Sequence, residues 1–499
     1  MENLAALAAG FAVALTPSNL ALMLIGVLLG VVIGVLPGLG GANGIAILLP
    51  LTFAMEPVSA VIMLSCIYWG ALFGGAITSI LFNIPGEPWS VATTFDGYPM
   101  AQRGRAAEAL VAAFTSSFFG AFVAIVVITA IAPLVARFAL RFGPPEFFAV
   151  MFLSFAAFVG QGRGSAWKTL AAMMAGFLLA CVGLDTVTGA LRLTFGSTEL
   201  MRGFDFLVAV IGLFGISEVL IAIEEGLTFQ GAKARIDPRV VLRVWQELPR
   251  YSMIALRSSV IGCWMGVTPA GATPASFMSY GMARKLSKQG AAFGTGRIEG
   301  VIAPEVANNA AGVSALLPML ALGVPGSPTA AVLLSGLIMW GLQPGPMLFV
   351  EQKDFVWGLI ASMYLGNVAA FLVVLTLVPL FAAILRIPFA IIAPLILIAC
   401  AIGAYTINSA MFDVVLMLVF GLVGYVMKKL DYPLAPMVLA LVLGNRTEQA
   451  FRQSLLLSDG SLAVFFRGWL SSTIMTAGVL LLFLPLIGRA SAVLRARLA

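Results

Sequence analysis

Long stretches without a single charged side chain alternate with short polar interruptions along the chain. No Asp, Glu, Lys or Arg occurs in residues 3–55, 57–86, 109–136, 258–283, 306–350, 355–385, 387–412 or 468–488. About 20 apolar residues carry a helix across a bilayer, so each run holds one or two crossings. Shorter uncharged runs at 147–162, 169–184, 206–217, 414–427 and 432–445 supply more. The pattern predicts an all-α integral membrane protein with about 12 transmembrane helices, within a range of about 10–14.

The longest polar interruption is 228–257, with Lys233, Arg235, Arg239, Arg243, Arg250 and Arg257. Within it, Val240, Val241, Val244, Trp245 and Leu248 fall near helical spacing beside Arg239, Arg243 and Glu247, the signature of an amphipathic surface helix. This divides the chain into a first membrane half (1–227), a basic linker lying on the headgroups (228–257) and a second membrane half (258–499). By the positive-inside rule the linker is expected to be cytoplasmic, as is the tail with Arg489, Arg495 and Arg497. Met1-Glu2-Asn3 offers no basic lead-in to a cleavable signal, and the first Lys or Arg is Arg103. The start of the chain is therefore expected on the opposite side.

The halves share a weak internal repeat. Gly34-Val35-Leu36-Pro37-Gly38-Leu39-Gly40-Gly41-Ala42-Asn43 corresponds to Gly266-Val267-Thr268-Pro269-Ala270-Gly271-Ala272-Thr273, an offset of 232. Further on, Ile84-Pro85-Gly86-Glu87-Pro88 corresponds to Val324-Pro325-Gly326-Ser327-Pro328, an offset of 240. Pro and Gly here interrupt apolar segments, and each break frees backbone groups that hydrocarbon cannot satisfy. Paired breaks in two halves point to the binding site of a secondary transporter, where half-helix ends meet near the midplane.

The surrounding chemistry suits an anion and a small cation. Half-helix N-termini present unpaired N–H groups and a positive dipole end to a carboxylate, while exposed carbonyls and side-chain oxygens suit Na⁺. Around the breaks stand Asn43, Thr78, Ser79, Asn83, Thr268, Thr273, Ser276, Asn308, Asn309, Ser314, Ser327 and Thr329. Adjacent Asn308 and Asn309 inside an uncharged run demand several partners each. Glu87, Asp96 and Glu305 flank the breaks; they suit either solvation at the membrane edge or a cation. Asp185, Glu218 and Asp413 interrupt apolar stretches without an assignable partner.

Composition narrows the chemistry further. Of 499 residues, 61% are hydrophobic and 10% charged, against roughly 25% charged in soluble domains, so the chain cannot clothe a water-soluble surface. A net charge of +6 thinly spread over an apolar chain matches basic membrane loops and gives no nucleic-acid partner. With no histidine, Ser-His and Cys-His catalysis and imidazole proton relays are excluded, and an enzyme is not expected. Cys66, Cys181, Cys263 and Cys400 lie far apart without CxxC spacing and read as small hydrophobes. Gly294-Thr295-Gly296-Arg297-Ile298-Glu299-Gly300 looks like a dinucleotide turn, but its final spacing is wrong and no βαβ unit surrounds it.

The stretches Gly34 to Pro50, Asn83 to Gly97 and Gly266 to Pro346 together resemble the TctA family, the large membrane subunit of tripartite tricarboxylate transporters. Within the last stretch the resemblance rests on Phe293-Gly294-Thr295-Gly296, Glu299 to Glu305, Asn308-Asn309-Ala310 and Gly323 to Ser327. It covers nearly the full length. The resemblance implies a bacterial inner-membrane permease that works with a small four-helix membrane subunit (TctB-like) and a periplasmic solute-binding protein (TctC-like). The binding protein would deliver a tricarboxylate such as citrate, a dicarboxylate or an aromatic carboxylate, with uptake driven by Na⁺ or H⁺ and no further cofactor. Carried over by position, the candidate substrate and ion residues are Pro37, Gly38, Gly40, Gly41, Asn43, Asn83, Pro85, Gly86, Thr268, Pro269, Gly271, Thr273, Asn308, Asn309, Pro325, Gly326, Ser327 and Thr329. Na⁺ is expected near Asn43, Thr273, Asn308 and Asn309.

The expected architecture is two inverted repeats, each contributing broken helices or re-entrant hairpins whose tips converge. The unit holding those tips would move against a scaffold in elevator fashion, by analogy with other binding-protein-dependent carriers. A channel or uniporter, or a permease driven by a separate ATPase, would use the same broken helices.

Overall fold

A computed structural model of the chain describes residues 2–36, 39–161, 165–185, 188–225, 236–268, 271–384 and 389–498. Pro37, Gly38 and Pro269 of the candidate site lie outside the described residues, as do Lys233 and Arg235 of the linker. The first half runs through α1 (Glu2–Ala14), α2 (Pro17–Val35), α3 (Gly40–Leu48), α4 (Pro57–Phe82), α5 (Val91–Gln102) and α6 (Ala106–Ala139). It continues with α7 (Pro144–Gln161), α8 (Ala166–Ala180), a small hairpin of β1 (Gly183–Leu184) and β2 (Leu191–Arg192), then α9 (Phe206–Val210), a π turn (Ile211–Ile216) and α10 (Ser217–Glu225). After the linker helix α11 (Pro238–Glu247) come α12 (Ser252–Val267), α13 (Ala272–Leu286), α14 (Glu299–Ser314), α15 (Leu316–Leu322) and α16 (Pro328–Met339). The chain closes with α17 (Leu348–Glu351), α18 (Lys353–Ile384), α19 (Phe389–Asn408), α20 (Met411–Lys429), α21 (Leu434–Leu456), α22 (Val464–Arg467) and α23 (Trp469–Leu498).

Among the described residues six helical segments are long and apolar enough to span a bilayer, and seven apolar helices are shorter. The protein is an all-α, multi-pass membrane protein. Its centre is α4, buried along its whole apolar window, with Tyr68 and Phe73 among the largest fully buried side chains. By contrast, α20 exposes Val415, Leu418, Val419, Leu422 and Val426. These recur at i, i+3, i+4, i+7 and i+11, a continuous apolar stripe that only lipid or another membrane helix can cover.

Small residues let helices cross at backbone contact. A Cβ on Gly34 would collide with the carbonyl of Ala71 on α4, and one on Gly266 with the carbonyl of Ala311 on α14. Gly30 meets Ile67 and Gly262 meets Ala307 in the same way. These four contacts carry the two offsets read in the sequence, 232 on one partner and 240 on the other.

The turns also match. α4 ends on Asn83 (φ 58°) and α15 on Gly323 (φ 71°), both left-handed, a conformation that Asn and Gly tolerate. Glu87 and Ser327 then take extended backbone at the N-caps of the next helical segments, each followed by proline at N1, where its missing N–H removes nothing. Between them Gly86 packs under the Gly34 carbonyl and Gly326 under that of Gly266, where no larger residue fits.

A carboxylate clasp fastens α5 to the segment before α14. Asp96 is fully buried and accepts from Tyr280 Oη at 2.9 Å and from the backbone N–H groups of Gly294 (3.0 Å), Gly296 (2.8 Å) and Arg297 (2.7 Å). The glycine-rich run that resembles a dinucleotide turn therefore cradles an anion of the protein itself. In the linker, α11 buries Val244 and its Trp245 Nε1 donates to Thr115 Oγ1 on α6 at 3.1 Å.

Candidate substrate cleft

Residues at four helical N-termini line one cavity. Gly40 at the start of α3, Pro88 at the 3-10 turn leading into α5, Ala272 at the start of α13 and Pro328 at the start of α16 all line a cleft of ≈ 690 Å³. The breaks create this arrangement because each restarts a helix inside the molecule, bringing its first N–H groups with it. Each such end carries roughly half a positive charge from the aligned peptide dipoles. The volume lies within the roughly 300–1,000 Å³ common for small-molecule sites.

Of the residues singled out from the sequence, Gly40, Asn43, Pro85, Gly86 and the buried acid Glu87 from the first half and Gly271, Thr273, Ser327 and Thr329 from the second line this cleft. Gly41 stands just behind, donating its N–H to Glu87 Oε1. The Ser327 hydroxyl caps α16 by accepting from Ala330 N at 3.1 Å, and it lies 3.3 Å from Tyr68 Oη. Asn83, Thr268, Pro325 and Gly326 are not on the wall. Asn83 is the exposed cap of α4, Thr268 donates its hydroxyl to the Met265 carbonyl at 2.7 Å, and Gly326 serves the close approach described above.

Asn308 and Asn309 also lie away from the cleft. Both are buried in α14, and Asn309 Nδ2 donates to Asn308 Oδ1 at 2.6 Å and to the Glu305 carbonyl at 3.1 Å. They belong to a separate polar cluster around the Glu305 carboxylate.

The wall holds groups that the breaks do not announce. Lys428 from the last turn of α20 donates to Glu218 of α10, and both line the cleft with Phe214 and Tyr432. Trp89, also on the wall, carries a buried indole N–H without a hydrogen-bond partner among the described residues. The faint sequence signal was the interruption of apolar runs by Glu218 and by Lys428-Lys429; their pairing is 210 positions apart and has no local signature. The other two interrupting acids find partners too. Asp185 accepts from Arg452 at 2.9 Å, and Asp413 from Arg202 at 3.2 Å and Asn408 Nδ2 at 2.9 Å.

Residues 20–439 match the family described as the tripartite tricarboxylate transporter TctA family. The chain belongs to that family. Two relatives from Agrobacterium vitis extend the likeness. One, described as an uncharacterized 52.8 kDa protein in the TAR-I ttuC' 3' region, is 38% identical over 483 residues, covering 96% of this chain and 95% of its own length. The other, an uncharacterized protein in the TAR-II ttuC' 3' region, is 38% identical over 227 residues, 45% of this chain and 94% of its own length. No solved structure matches the chain. As a TctA-family protein it is a transporter component, and the cleft lies where the Gly/Pro breaks interrupt the helices.

Proposed function

We propose that this chain is the permease subunit of an ion-driven carboxylate importer, and that the cleft is its substrate site. The observation that carries the reading is the convergence of four helical N-termini on one cavity, with Lys428 on its wall. Such ends hold a carboxylate through N–H groups and dipoles. A substrate with two or three carboxylates can engage ends from both halves at once, which fits a tricarboxylate, a dicarboxylate or an aromatic carboxylate.

Membership of the TctA family supports a small four-helix membrane subunit and a periplasmic solute-binding protein as partners in a bacterial inner membrane, and the basic tail with Arg489, Arg495 and Arg497 supports a cytoplasmic C-terminus. The matched close contacts and matched turns of the two halves support a pair of repeats, which we take to be inverted by analogy with other secondary carriers, and the exposed stripe on α20 offers a lipid- or subunit-facing surface. Alternating access then follows from movement of the unit holding the breaks, in elevator fashion, powered by a Na⁺ or H⁺ gradient.

The test is uptake into proteoliposomes containing this chain and its membrane partner, with the cognate binding protein outside and no ATP. Thermal-shift screening of the binding protein against carboxylates first supplies the ligand. Uptake that follows an imposed Na⁺ or pH gradient is the expected result. Uptake that ignores both gradients makes the protein a channel or uniporter, and a requirement for ATP makes it part of a primary transporter.

A further inference from the structure

Away from the cleft, one carboxylate is enclosed entirely by helices. Glu305 on α14 is 0% exposed, and its two oxygens accept from Thr93 Oγ1 on α5 at 2.5 Å and Ser117 Oγ on α6 at 2.8 Å. The helices are held close here, because a Cβ on Gly120 of α6 would strike the Val306 carbonyl of α14. No Lys or Arg pairs with Glu305 among the described residues. Hydrogen bonds satisfy lone pairs, but a carboxylate withdrawn from water also needs its charge met.

The same cluster holds an unused oxygen. Asn309 stands four residues after Glu305, one turn along α14 and on the same face. Its Nδ2 is spent on the Glu305 carbonyl and on Asn308 Oδ1, while its Oδ1 has no hydrogen-bond partner among the described residues although Asn309 is 1% exposed. One carboxylate surrounded by hydroxyl and amide oxygens is the donor set of a hard monovalent cation; divalent sites recruit more charge or keep bound water.

We propose that Glu305, Thr93, Ser117 and Asn309 form a Na⁺ site. Its role as the site of the coupling ion rests on the transport reading above; its affinity for Na⁺ does not. Thr93 lies two residues after Val91, which lines the cleft, and α14 leads through α15 into the turn that ends at Ser327. An ion drawing oxygens of α5, α6 and α14 together therefore stiffens two of the segments that shape the cleft. By linkage, substrate tightens Na⁺ binding by the factor that Na⁺ tightens substrate.

The test uses the full-length chain in detergent, without carboxylate, unfolded thermally in NaCl or KCl at equal ionic strength. A saturable rise in melting temperature specific to Na⁺ is expected. It should disappear in Glu305→Gln, and Ser117→Ala and Asn309→Ala should each raise the half-saturating Na⁺ concentration roughly tenfold or more. Ser335→Ala, in the middle of α16, should leave the response unchanged. Equal responses to Na⁺ and K⁺, or none, overturn the site, as does a response that survives in both Ser117→Ala and Asn309→Ala. Loss of the response in Thr273→Ala but not in Asn309→Ala moves the ion to the cleft and also overturns it. A Na⁺ response without carboxylate uptake in vesicles keeps the site and removes the transport reading. Uptake on a pH gradient with no Na⁺ response does the reverse.

Discussion

The Lys428 ammonium donates to the Glu218 carboxylate on the cleft wall, tying the last turn of α20 to the first turn of α10. The pair places a cation on the cleft wall together with its counter-charge. On the proposed reading, an entering carboxylate shares that ammonium with Glu218.

Removing the ammonium should therefore act on substrate affinity. Lys428→Gln is expected to raise KM for carboxylate uptake at least tenfold, about 1.4 kcal/mol of binding. Lys428→Arg keeps the charge and should retain part of the activity. The measurement is initial uptake rate against concentration of loaded binding protein; an unchanged KM in Lys428→Gln would mean that the ammonium serves only the ion pair.

The glycines under the breaks should matter for packing before chemistry. Gly86→Ala and Gly326→Ala each push a methyl group into a backbone carbonyl, of Gly34 and Gly266 respectively. Overpacking of this kind costs about 1–3 kcal/mol. Thermal unfolding in detergent should show both variants destabilised, whereas Gly281→Ala, where the new methyl meets open space, should unfold like the parent chain.

Loss of the clasp should be graded by the number of donors stranded. Tyr280→Phe removes one hydroxyl from Asp96 and should cost about 1 kcal/mol. Asp96→Ala leaves that hydroxyl and three backbone N–H groups without their acceptor, and is expected to cost about 3 kcal/mol or more. Equal melting temperatures for the two variants would contradict the clasp.

Arg452 and Asp185 offer a double-mutant cycle. Asp185 is 4% exposed and Arg452 supplies the guanidinium facing it. Arg452→Ala should destabilise by about 1–3 kcal/mol, and Asp185→Asn should cost less in that background than in the parent chain. Strict additivity would show that the two do not interact. Arg105→Ala, which breaks an ion pair between partly exposed groups, should change stability by under about 1 kcal/mol.

The membrane class was legible because uncharged runs long enough to cross a bilayer are a local property. The breaks were legible too: Gly86 and Gly326 stand in matching Pro-Gly turns, and the chemistry of Pro and Gly is written in single residues. Asn308 and Asn309 could be read only as candidate substrate or ion residues, without a place in the fold. Two amides in an apolar run announce a polar cluster, but which helix face they occupy and what lies opposite depend on packing. The structure sets them beside Glu305, with Thr93 and Ser117 approaching from helices 212 and 188 positions earlier.

By itself, the sequence determined that this protein lives in a bilayer, lacks imidazole chemistry and interrupts its helices at corresponding places in two halves. Each of these follows from side-chain transfer energies and backbone restrictions that act within a few residues. Only the tertiary structure decided that four restarted helices share one cleft, that Lys428 meets Glu218 on its wall, and that Glu305 is enclosed elsewhere. Those are contacts between segments distant along the chain. They arise because helices approach until glycines and carbonyls touch, and that closeness selects which polar groups face one another.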